Sequence, residues 1–134
     1  MGMDLRNRAD QAIKVSGGHW AVFLKLAEAF GWQPAGTEQP ETWPASETWH
    51  GRYDTNDGQS VTDADAIRLA QTLHGAAVHP QIQRALSDVI RYVESAVKAS
   101  GIKIREEWEM HPTDFFDEFS PLLEFLYQGG FVIE

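Results

Sequence analysis

The chain contains no cysteine, which excludes disulfides, thiolate metal sites and thiol nucleophiles and fits a reducing compartment. It has no long apolar run, and its first residues include Asp4, Arg6, Arg8 and Asp10. Neither a signal peptide nor a transmembrane helix is therefore expected, and the chain reads as a soluble cytoplasmic protein. His19, His50 and His111 are solitary, and His74 and His79 lack the i, i+4 spacing that puts two imidazoles on one helix face, so no zinc site is expected. Ser16-Gly17-Gly18 precedes a helical pattern but lacks the lysine of a phosphate-binding loop, and reads as a linker between helices. No stretch names a reaction. No cofactor is expected, and a binding module is favoured over an enzyme.

Basic residues are missing from one region altogether. From Glu106 to Glu134 the chain holds Glu106, Glu107, Glu109, Asp114, Asp117, Glu118, Glu124 and Glu134 without a single Lys or Arg, so nearly all of the net charge of -9 lies there. Such a surface disfavours nucleic acid and anionic membranes, which need basic groups to displace counterions, and it is compatible with a basic protein partner. A solvated acidic face that maintains solubility is the plainer reading of the same residues.

At 134 residues the chain suits one domain and is too short for two comfortable cores. Its most informative stretch runs from Gly51 to Ala66. There Asn56-Asp57-Gly58 tolerates positive φ and supports a turn, and Thr62 is placed to cap a helix whose first turn carries Asp63 and Asp65 at the positive end of its dipole. Strand-compatible residues 48–53 and Gln59 to Val61 flank the turn, predicting a short hairpin over 48–61.

Elsewhere, Leu5, Ala9, Ala12 and Ile13 recur at helical spacing and predict a modest helix from about Asp4 to Val15. Trp20, Phe23, Leu24, Ala27 and Phe30 mark a core helix that Gly31 is placed to end. A Pro-rich loop follows over 33–47, with Trp43 and Trp49 as a lid over the core or a stacking platform. The helix capped by Thr62 carries a small-residue stripe, and a long helix follows through Ile82, Leu86, Val89 and Val93. Residues 102–110 alternate, predicting a strand over 102–106. Two short helices are expected around Phe119, the second restarting at Ser120-Pro121, before a C-terminal strand over 131–133. The fold class is thus α+β, a mostly helical single domain with a small antiparallel sheet.

The pieces Gly31-Trp32-Gln33-Pro34-Ala35-Gly36-Thr37, Tyr53 with Asn56-Asp57-Gly58-Gln59 and Val61-Thr62, Asp65-Ala66, Leu69-Ala70, and Gly129-Gly130-Phe131 with Ile133 resemble a group of small bacterial proteins of unknown function. The resemblance touches about half the chain. It implies that these pieces belong to one domain and carries no activity, cofactor or catalytic residue.

Two candidate surfaces emerge. One is the acidic quarter, with Glu106, Glu107 and Glu109; the other is the 49–58 segment, with Trp49, His50, Tyr53, Asp54, Asn56 and Asp57. An EF-hand is excluded by register, since Gly58 in the sixth position would put Tyr53, Thr55, Asp57 and Ala64 at ligand positions. Asp54, Asn56 and Asp57 read either as a plain turn or as an irregular cation site. The functional expectation is an acidic protein-recognition module, in one form an immunity or antidote protein for a basic toxin. The alternative is a small-molecule or carbohydrate binder or weak hydrolase, with Trp43, Trp49, Tyr53, His50 and Asp54 lining a cleft.

Overall fold

The structure, a computed structural model, describes residues 2–101 and 112–134. Among the described residues four strands and four helices follow in the order β1 (Gly2–Asn7), β2 (Ala12–Ser16), α1 (Gly17–Ala29), β3 (Gln59–Val61), α2 (Asp63–Ala77), α3 (Ile82–Ala99), α4 (Pro112–Tyr127) and β4 (Phe131–Ile133). The strands form one antiparallel sheet in the order β2-β1-β4-β3. Alternation along them buries Met3, Leu5 and Asn7 of β1, Gln59 and Val61 of β3, and Phe131 and Ile133 of β4 on one face. The helices pack on that face around a shared core with Trp20, Phe23, Leu26, Leu69, Leu73 and Leu126. The α+β class read from the sequence is the one observed.

The first expected helix is a β-hairpin instead. Leu5 and Ile13, read as two helix turns, are cross-strand partners, and Leu5 also pairs with Ile133. The reversal is built locally. Asn7 Oδ1 accepts from the amides of Ala9 and Gln11, both at 3.0 Å, and Asp10 takes the left-handed conformation at φ 63°, which Asp tolerates better than most residues. Ser16 is consequently no linker between helices. It ends β2 and caps α1, its hydroxyl accepting from the His19 amide at 3.1 Å.

The hairpin expected over 48–61 is not formed either. Residues 48–53 are not a strand, and Gln59–Val61 pairs with β4. The reason is the fully buried Gln59 side chain. Its Nε2 donates to the carbonyls of Thr55 at 2.6 Å and Arg52 at 3.1 Å, while its Oε1 accepts from the Asp57 amide at 2.9 Å. These bonds gather 52–57 into a compact loop in place of a ladder.

Helix boundaries follow the expected chemistry more closely. Thr62 Oγ1 accepts from the Asp65 amide at 3.2 Å, a cap worth about 1 kcal/mol, and Gly31 follows α1 at φ 103°. The two short helices expected around Phe119 are one helix with Pro121 inside it. Proline removes the donor for the Asp117 carbonyl, but both residues lie on the exposed side, where water can serve. Phe115, Phe119, Leu122, Phe125 and Leu126 form a continuous buried face across the break, so tertiary packing outweighs the local defect. The strand expected over 102–106 lies outside the described residues.

Candidate functional site

Between α1 and β3 the chain has no regular element except a bridge of Glu38 to Ser60. Such a long segment must satisfy its buried backbone groups by other means, and side chains do it. Trp20 Nε1 donates to the Tyr53 carbonyl at 2.7 Å, Thr37 Oγ1 to the Arg52 carbonyl at 2.7 Å, and Trp49 Nε1 to the Thr37 carbonyl at 3.0 Å. Residues 36–37 and 51–52 thereby run side by side. Gly51, at φ 70°, lies so close that a Cβ there would come within 3.2 Å of Gly36 Cα.

The segment is locked to α2 through Asp65, which is 0% exposed. Trp32 Nε1 donates to its Oδ1 at 3.1 Å, and the Tyr53 hydroxyl donates to its Oδ2 while accepting from the Gly36 amide at 2.9 Å. Arg68 Nη2 approaches Oδ1 at 3.6 Å from the solvent side. Burial first, then the hydrogen bond and charge of Asp65, push the Tyr53 phenol well above its ordinary value. The sequence placed Asp65 merely as a dipole-compensating acid. A better signal was available, since Asp65, Leu69 and Leu73 are in i, i+4 phase and so share the inward face of α2. The resembling pieces around Trp32, Gly36, Thr37, Tyr53 and Asp65 therefore converge on one buried polar cluster, which is architecture. Among the described residues no buried side-chain donor or acceptor is left unpaired, those of this cluster included.

A second local lock involves Asp63. Its Oδ1 accepts from the Gly130 amide at 2.7 Å and its Oδ2 from Arg8 Nη1 at 3.0 Å. The Gly130 amide first, then Arg8, hold its carboxyl below the usual range. A Cβ at Gly130 would come within 2.7 Å of the Val61 carbonyl oxygen, so the second glycine of Gly129-Gly130 is required by close approach.

The sequence-derived candidates do not assemble into the expected cleft. Tyr53 points into the core, whereas His50 and Asp54 are exposed. Trp43 and Trp49 are half-buried against each other, ring centroids 4.8 Å apart and edge-on. Asp54 is held by Arg52 at 3.1 and 3.3 Å, and Asn56 Nδ2 donates to the Gly2 carbonyl at 3.0 Å. Asp54 and Asn56 are thus directed to separate partners, and Asp57 is exposed beside them. Among the described residues no group of three or more His, Asp or Glu is placed to hold a metal, and no helix is long and apolar enough to cross a membrane. Glu106, Glu107 and Glu109 lie outside the described residues.

No family model, curated protein or solved structure matches the chain. Function must therefore be argued from the surface.

On α4 that surface is acidic and partly apolar. Asp117 and Glu124 are exposed and make no ion pair among the described residues. Glu118 is engaged, with both carboxylate oxygens 2.9 Å from His19 Nδ1, and the His19 ring packs on Phe115 at 4.5 Å. Glu134 is paired with Arg6 at 3.0 Å. Between α2 and α4 lies an open groove of about 700 Å³. It is absent from the sequence reading because only the packing of two helices creates it.

Proposed function

We propose that the protein is an acidic recognition module for a basic protein, in its most specific form an immunity or antidote protein that neutralises a basic toxin. The observation that supports this is the stretch from Glu106 to Glu134 without Lys or Arg, of which Asp117 and Glu124 stand exposed on a well-packed helix. Opposite fields accelerate encounter and discriminate against other partners, and a rigid scaffold lowers the cost of presenting them.

The test is capture from a lysate at low salt, with bound proteins identified by mass. Glu106→Lys, Glu107→Lys and Glu109→Lys combined should abolish retention of a basic partner and leave the melting temperature unchanged. Raising salt to ~0.5 M should imitate the substitutions by shortening the Debye length to roughly 4 Å. Recovery of the same proteins by the triple variant would reduce the charge asymmetry to solubility.

A further inference from the structure

The groove between α2 and α4 combines features that a solvated face does not need. Its walls include Ala77 of α2 and Phe116, Leu123 and Tyr127 of α4. Phe116 is 36% and Tyr127 42% exposed, and Val78, next to Ala77, is 74% exposed. Of the large exposed apolar side chains of the described residues, Phe116 and Tyr127 line the groove and Val78 adjoins it, while Tyr92 stands apart on α3, and neighbouring exposed apolar groups mark an interaction site more often than isolated ones do. Tyr127 is also positioned, its hydroxyl 3.3 Å from His74 Nδ1 across the groove.

Charge decides what fits. Among the described residues Glu124 is the one carboxylate in the groove wall and no Lys or Arg lines it, and Asp117 is exposed on the same helix. A second copy of the chain, itself at -9, would bring acid against acid. From Phe116 to Tyr127 the helix rises about 16 Å, the length over which three turns of a partner helix present anchors at i, i+3 or i+4, and i+7. We infer that this groove seats a basic amphipathic helix of a partner protein. The apolar stripe of that helix lies against Phe116, Leu123 and Tyr127, and its Lys or Arg residues face Glu124 and Asp117. The inference rests on the recognition reading above and narrows it to one surface and one ligand shape.

The probe is a synthetic amphipathic Leu/Lys helix of about 18 residues, titrated calorimetrically and by amide chemical shifts, against a scrambled peptide of the same composition. Wild type should bind the amphipathic peptide at least about tenfold more tightly than the scrambled one, a difference of about 1.4 kcal/mol, with shifts centred on α2 and α4. Phe116→Ala with Tyr127→Ala should weaken binding by a similar factor. Glu124→Lys, an exposed change that leaves the core untouched, should do so too and covers the case in which the double variant folds poorly. Equal binding of the scrambled peptide, shifts centred elsewhere, no binding at all, or groove variants that bind like wild type would each overturn the inference. The two levels separate cleanly. If groove variants bind like wild type while the triple Glu→Lys variant loses the peptide, the recognition reading stands and the groove falls. If the lysate experiment also yields no basic partner, both fall.

Discussion

The hairpin β1–β2 and the long segment between α1 and β3 solve the same problem in opposite ways. Along the strands of the hairpin the backbone satisfies itself, through a ladder running from Gly2–Ser16 to Arg6–Ala12, and side-chain help is concentrated in the Asn7 turn. In the long segment Trp20, Thr37, Trp49 and Gln59 supply side-chain partners to backbone carbonyls, and Asp65 anchors the assembly. A ladder tolerates changes in outward-facing side chains, because none of them carries the backbone bonding. A loop held by side chains is less tolerant, because deleting a buried one such as Trp20 or Asp65 orphans groups that water cannot reach.

The sharpest way to break this contrast is Asp65→Ala. It strips the acceptor from both Trp32 Nε1 and the Tyr53 hydroxyl inside a closed space, and should cost about 3 kcal/mol or more, read as a fall in the urea midpoint at constant slope. A loss under about 1 kcal/mol would mean that the cluster is dispensable. Tyr53→Phe should cost less, about 1–3 kcal/mol, and should change the pH profile as well. An ordinary tyrosine ionises near 10, and the folded protein keeps this proton beyond that. The associated stability is therefore complete below pH 10 and is lost as the pH rises above it. Wild type should lose stability on the alkaline side through this group, and Tyr53→Phe should show a shallower decline; parallel profiles would remove Tyr53 from the account. Smallest of all, Lys14→Gln on β2, 4.0 Å from Asp4 and largely exposed, should shift stability by no more than about 0.5 kcal/mol. A larger effect would show that the hairpin, too, leans on its side chains.

Legibility in the sequence follows the same division. Features set by one residue's local chemistry were readable: the Thr62 cap, the Gly31 stop, the apolar stripes of α1 to α3, and the final strand at Phe131. Features decided by a distant partner were not. Leu5 and Ile13 match a helical period and a cross-strand pair equally well, and only Ile133 on the other side of Leu5 selects the sheet. Val61 suits a hairpin with residues 48–53 as well as a pairing with Phe131, and the buried Gln59 carboxamide tips the balance. Pro121 signals a restart until Phe119 and Leu122 are seen buried on either side of it. For the candidate site, the acidic content was plain in the sequence. The inward turn of Tyr53 and the groove beside Tyr127 depend on the packing of α2 against elements far away in the chain.

The position of β4 carries a kinetic consequence. As the last element in the chain it lies between β1, the first, and β3, so the pairing of Leu5 with Ile133 spans nearly the whole sequence. Contacts of such high order are slow to form, since loop closure must precede any gain from the ladder. During synthesis the hairpin emerges well before β4, with the Leu5 edge of β1 open and apolar until Phe131–Ile133 arrive to cover it. An uncovered edge of this kind is where intermolecular strand pairing begins. Substitutions in Phe131–Ile133 should therefore lower the yield of native protein during synthesis by more than their effect on equilibrium stability would suggest.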